Sequence, residues 1–193
     1  MQALNDDVYT HVTNYSSPVI SLTPFNGGEV FMKNGLIHRD GDQPAVIMPY
    51  GNMYWYRNGV PHRGYDLPAV VLINGDMEWW DDGFNHREGD APANVYYEKS
   101  VWRKHGMVHR DNDEPAVVYT NGDKIWYRNG SLHRDGDKPA LVSFCSTIWY
   151  QYGYAHRDTR DSNGFLNPAM INDGWPPRYF LRGVEVDRDG NAI

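Results

Sequence analysis

Residues 51–75 read GNMYWYRNGVPHRGYDLPAVVLING, and three glycines (Gly51, Gly59, Gly75) cut the stretch into an arm of 7 residues and one of 15. The short arm centres on Met53-Tyr54-Trp55-Tyr56-Arg57, whose aromatics favour a strand. The long arm ends in the β-branched run Ala69-Val70-Val71-Leu72-Ile73. Asn58-Gly59 and Asn74-Gly75 are two-residue hairpin signals, since both residue types accept the positive φ of a type I′ turn. Between the arms lies His62-Arg63, closed by Asp66 and Pro68. The unit therefore predicts two strands and one irregular connection.

The same frame recurs along the chain. His-Arg stands at His38, His62, His86, His109, His133 and His156, with spacings of 24, 24, 23, 24 and 23 residues. A glycine precedes each histidine by three residues, and a Pro-Ala pair follows it. Such a period marks one supersecondary unit copied in tandem. Four residues before each glycine stands a large aromatic: Phe31, Trp55, Trp79, Trp102, Trp126, Trp149. This row lies on one strand face and predicts the spine of the core. The expected fold is all-β, an elongated antiparallel array of about six hairpin repeats with irregular N- and C-terminal caps. Residues 1–27 read as the N-terminal cap and 28–158 as the tandem repeats. Residues 159–178 read as an insertion and irregular bridge, and 179–193 as a degenerate seventh repeat and C-terminal cap.

Composition agrees with this class. The chain has 193 residues, 14 Tyr and 7 Trp, with 19 Gly and 12 Pro spaced as turn punctuation. The net charge of −7 provides no global basic field for nucleic acid or an anionic membrane. No run approaches the ~20 apolar residues of a spanning helix, and the N-terminal stretch lacks a leader pattern, so a cytoplasmic location is expected. Cys145, the single cysteine, lies in Leu-Val-Ser-Phe-Cys-Ser-Thr-Ile-Trp and is expected to be a small core residue of a strand.

The unit, roughly Trp-Tyr-x-Asn-Gly-x-x-His-Arg-x-x-Asp-x-Pro-Ala, resembles the MORN-type β-hairpin repeats, particularly their divergent relatives in bacteria, phages and large DNA viruses. The resemblance covers residues 28–190. The His-Arg and Pro-Ala elements depart from the better-known, more glycine-rich pattern. The resemblance implies stacked hairpins and an interaction scaffold, and it brings a viral, host-directed or counter-defence role into view.

Two sets of residues are candidates for function. The first is the repeated pair itself: His38, Arg39, His62, Arg63, His86, Arg87, His109, Arg110, His133, Arg134, His156 and Arg157. Equivalent histidines on rungs about 9.6 Å apart cannot share a metal, whose ligands lie about 3.4 Å from each other, so no metal or cofactor is expected. Six similar copies also lack the one distinctive constellation an enzyme needs, so no catalytic residue is assigned. An aspartate four residues after five of the histidines (Asp42, Asp66, Asp90, Asp113, Asp137) instead suggests a polar clasp. The alternative is a groove for nucleotides or nucleic acid.

The second set is the row three residues before each glycine: Tyr56, Trp80, Arg103, Tyr127 and Tyr150, with Met32 at its head. It points away from the spine, and its residue types are those enriched at interface hot spots. A protein partner is expected there, with self-association through open sheet edges a further option. A reserve candidate is the loop-side row Leu36, Val60, Phe84, Met107, Ser131, Tyr154, whose apolar members at turn tips are explained if they tuck under the clasp.

Overall fold

A computed structural model describes residues 20–22 and 27–193 of the chain. The expected N-terminal cap therefore lies outside the described residues, apart from the strand Ile20–Leu22 and Gly27. Every regular element among the described residues is a β-strand, and every pairing is antiparallel. The fold is all-β, as the repeat predicts.

Two compact units divide the chain, residues 1–85 and 86–193. In the first, a ladder runs Ile20–Leu22, Glu29–Lys33, Val46–Ile47, Met53–Tyr54, Val70–Val71, Met77–Glu78. In the second, the order is Asn94–Val95, Lys99–Val101, Val117–Tyr119, Lys124–Ile125, Leu141–Val142, Ser146–Ile148, Met170–Asn172. Beside each ladder stand separate two-stranded hairpins, such as Tyr56–Arg57 with Val60–Pro61 and Tyr127–Arg128 with Ser131–Leu132.

The short arm is thus not one strand but two. Met53–Tyr54 belongs to the ladder and Tyr56–Arg57 to the hairpin, and Trp55 is the hinge between them. Its N–H donates to the Ala69 carbonyl on the ladder side, while its carbonyl accepts from the His62 N–H on the hairpin side. Trp102, Trp126 and Trp149 make the same two bonds with Ala116 and His109, Ala140 and His133, Ala169 and His156. The alanine of each Pro-Ala pair lies under this hinge and is 0% exposed in all six copies. A small side chain is required there because the ladder backbone passes directly over it.

Two kinds of turn close the arms. Asn58 (φ 50°) and Gly59 (φ 84°) are both left-handed, as a type I′ turn requires. At Asn74-Gly75 only Gly75 is left-handed (φ 89°). There the Gly75 N–H donates to the Leu72 carbonyl and the Leu72 N–H to the Asp76 carbonyl. This is a three-residue loop with a glycine bulge, which corrects the two-residue turn expected from the dipeptide. Ser-Phe-Cys-Ser is also a turn. Ser143 Oγ accepts the Ser146 N–H at 3.0 Å, and Cys145 is exposed, so it is not the core residue expected from its apolar neighbours.

The degenerate seventh copy folds as the hairpin Tyr179–Leu181 with Val184–Val186. The insertion at residues 159–167 loops out, with an isolated bridge between Arg160 and Leu166.

Replacing Ala116 or Ala140 by leucine should overpack the hinge and lower stability by about 1–3 kcal/mol. Chemical denaturation will read this as a lower midpoint. An unchanged midpoint would show that the hinge has room the structure denies it.

Candidate functional site

The His-Arg pairs form a set of equivalent junctions between successive copies. The motif arginines Arg39, Arg63, Arg110, Arg134 and Arg157 each lie over the aromatic of their own copy. The guanidinium carbon stands 3.8 Å from the Trp55 ring centre for Arg63, 4.0 Å from Trp102 for Arg110 and 3.8 Å from Trp126 for Arg134. One terminal nitrogen donates to the proline carbonyl of the same copy, at 3.2 Å for Arg63 to Pro68 and 3.2 Å for Arg134 to Pro139. Arg157 keeps this bond to Pro168 at 3.2 Å across the insertion, so the extra residues leave the junction intact.

The remaining two nitrogens grip a carboxylate bidentately, but not the one in their own copy. Arg63 holds Asp42, Arg110 holds Asp90, Arg134 holds Asp113 and Arg157 holds Asp137, with Nε–Oδ1 distances of 2.6, 2.6, 2.7 and 2.6 Å. In these four copies the clasp expected within one copy in fact ties the copy to the one before it. Arginine forks suit this because both N–H vectors lie in the plane of the carboxylate.

The histidines add a second tie in the opposite direction. Nδ1 of His38, His109, His133 and His156 accepts the backbone N–H of Asn58, Asn129, Tyr152 and Arg182 in the next copy, at 3.0, 3.1, 3.2 and 3.1 Å. Nε2 faces an acid two residues on: Asp40 at 3.0 Å, Glu88 at 3.0 Å from His86, Asp111 at 2.9 Å and Asp135 at 2.9 Å. With Nδ1 accepting, the network assigns the proton to Nε2. That contact also supports left-handed backbone at Tyr152 (φ 51°) and Arg182 (φ 51°), residue types that seldom adopt it.

Concavities recur between successive pairs. Their volumes are about 420 Å³ from His38 to Tyr65, 300 Å³ from His86 to Asn112, 160 Å³ from His109 to Asp135 and 240 Å³ from Arg134 to Thr159. Each is walled by aspartates or glutamates as well as arginines. The Arg63, Arg110, Arg134 and Arg157 guanidiniums already use all three nitrogens on protein oxygens.

The second expected set is half-buried. Tyr56, Trp80, Arg103, Tyr127 and Tyr150 are neither core nor fully exposed, and Met32 is buried with Val30 and Val46. Burial, with Tyr119 and Tyr150 alongside, raises the Tyr127 phenol above its ordinary value. Arg103 is held by Asn94 Oδ1 at 2.9 Å and the Gly106 carbonyl at 2.9 Å. The reserve row is exposed, with Leu36, Val60, Phe84, Met107 and Tyr154 all open to solvent, so it does not tuck under the clasp. In the first unit these side chains brace the next turn: a Cβ on Gly59 or Gly83 would lie 3.4 Å from Leu36 or Val60.

The most exposed apolar side chains were not singled out by the repeat. Five of them sit on the ladder turns, Tyr50 and Ile73 in the first unit and Tyr97, Phe144 and Trp175 in the second, while Tyr65 (94% exposed) lies in the His-Arg connection of the second copy. Phe144 is 95% exposed, Tyr97 85% and Trp175 75%. Neighbouring turns are tied together, with the Thr120 N–H on the Glu98 carbonyl, the Phe144 N–H on Asp123 Oδ1 and the Asp173 N–H on the Cys145 carbonyl. The only hint in sequence is that these residues occupy turn positions that polar residues usually fill.

Rung spacing argues only about equivalent histidines. At one junction the next turn brings two carboxylates to a histidine, so that His62, Asp81 and Asp82 place donor atoms within 4.8 Å of one another. No protein-family model matches the chain, and no curated protein matches it.

The clasp makes stability depend on acid. Hydrogen bonds from the facing arginine lower the carboxyl pKa of Asp42, Asp90 and Asp137, and Arg134, then Lys138, take Asp113 to about 2 against a partial burial that opposes them. A folded value below the unfolded one means that this stabilisation is complete above about pH 4 and is lost as pH falls towards the folded value. Urea midpoints should therefore decline between about pH 5 and pH 2. Asp113→Asn should lower the midpoint at neutral pH and flatten that decline. An equally steep decline in Asp113→Asn would exclude this carboxylate as a contributor.

Proposed function

We propose that the chain is a non-enzymatic repeat scaffold that binds a protein partner. The observation that carries this reading is the row of exposed aromatics on the ladder turns, Tyr97, Phe144 and Trp175 in the second unit, with Tyr50 in the first. Large aromatics left in water on ordered turns supply contact area with little conformational entropy to lose on binding. They lie on the variable part of each copy, whereas the repeated polar groups are occupied by the junctions. The half-buried row Tyr56, Trp80, Tyr127 and Tyr150 borders solvent and offers a second contact surface beside them. The resemblance to MORN-type repeats supports a scaffold role, and a viral or phage setting would suit one directed at a host protein.

The acidic walls of the concavities and the engaged arginines weigh against the nucleotide or nucleic-acid reading, which requires phosphate-facing donors. Combined replacement of Tyr97, Phe144 and Trp175 by serine should abolish capture of the partner from the native source. The same protein should keep its unfolding midpoint within about 0.5 kcal/mol per site. Tyr127→Ala should instead lower the midpoint. If the serine variant still captures the partner while Arg134→Ala loses binding in a salt-dependent manner without unfolding, the groove is the binding site and the proposal is wrong.

A further inference from the structure

We infer that the junction formed by His62, Asp81 and Asp82 is a binding site for one divalent transition-metal cation. This goes beyond the scaffold reading and does not depend on it. The second copy departs from the others at two places at once. Where five histidines have an acid two residues on (Asp40, Glu88, Asp111, Asp135, Asp158), His62 has Gly64. Where the turns facing the other histidines present Arg57-Asn58, Lys104-His105, Arg128-Asn129, Gln151-Tyr152 and Leu181-Arg182, none of them acidic, the turn facing His62 presents Asp81-Asp82. Both changes bear on the same ring.

The geometry suits a shared ion. His62 Nδ1 stands 3.0 Å from Asp81 Oδ1 and 3.4 Å from Asp82 Oδ1. Ligands bonded to one metal at about 2.0–2.2 Å lie roughly 2.8–3.6 Å apart, the lower end for octahedral and the upper for tetrahedral sites, and both distances fall in that range. One imidazole nitrogen with two carboxylates suits Zn²⁺, Co²⁺ or Mn²⁺ better than Ca²⁺ or Mg²⁺, which favour all-oxygen sets. The His62 ring is largely enclosed, while both carboxylates reach solvent, so ligand and ion can meet. Two contacts compete with the metal. The Asp82 N–H approaches Nδ1 at 3.3 Å and would have to release it, and the Arg57 guanidinium pairs with Asp82.

The test uses the full chain, stripped with chelator and titrated with CoCl2 or ZnCl2 by calorimetry, with visible absorption following bound Co²⁺. One ion per chain is expected. Asp82→Asn is suited to the fold, since asparagine occupies this turn position in three other copies and tolerates the left-handed φ of 42°. It and Asp81→Asn should each weaken binding by about tenfold or more, in line with losses seen even for outer partners of a metal site. Arg57→Gln should tighten it by removing the competing cation, and Asp111→Asn, beside His109, should leave it unchanged. No binding of either ion below about 1 mM, or equal binding by Asp81→Asn, Asp82→Asn and the parent chain, would overturn the inference.

Discussion

Four motif guanidiniums, those of Arg63, Arg110, Arg134 and Arg157, are gripped on three sides: by the aromatic face beneath, by the proline carbonyl of their own copy and by the carboxylate of the copy before. The rest of the structure depends on this grip because the strands are so short. Most ladder strands contain two or three residues. Hairpins of that length are marginal in water by themselves. Exposed ion pairs would add little, yet these arginines are about 15% exposed and stacked on rings, so the carboxylate contact is partly shielded from solvent. The alanine beneath the hinge lets the ring and backbone approach closely enough for all three contacts to form together.

The same junction separates the positions the repeat fixes from those it leaves to vary. Histidine, arginine and aspartate recur because every junction needs them, and their donors and acceptors are used within the protein. Side chains on the turns answer to no such demand. Tyr50, Ile73, Tyr97, Phe144 and Trp175 differ from copy to copy and face water, which is why the proposed contact surface is placed on them. At His62 the junction residues change on both sides of one ring. His62 there loses the usual acid beside it and gains two from the following turn.

Much of the fold was legible because turn chemistry and periodicity are local. Asn58-Gly59 has a single favoured turn, but the aromatic row forms the expected core spine only in part, with Trp55, Trp79 and Trp126 buried and Phe31, Trp102 and Trp149 half-buried. Asn74-Gly75 has the same letters but closes a longer loop, because the strand pairing around Leu72 and Asp76 sets the loop length. Ser-Phe-Cys-Ser contains neither glycine nor proline, so nothing local marks it as a turn, and Cys145 was assigned to the core. Exposure of the reserve row was equally hidden, since Leu36 and Val60 brace a glycine that is 23 residues further on in each case.

The arginine pairing shows most clearly what distance along the chain conceals. Arg63 has Asp66 three residues ahead and Asp42 twenty-one residues behind, and a periodic sequence offers both with equal regularity. The sequence by itself determined the all-β class, the repeat and the identity of the junction residues, because each of these follows from local turn preference and periodicity. Only the tertiary structure decided which copy supplies each carboxylate, which apolar rows meet water and where His62 finds its acids. Those outcomes depend on how one copy docks on the next, and a repeated sequence is the same whichever way that docking falls.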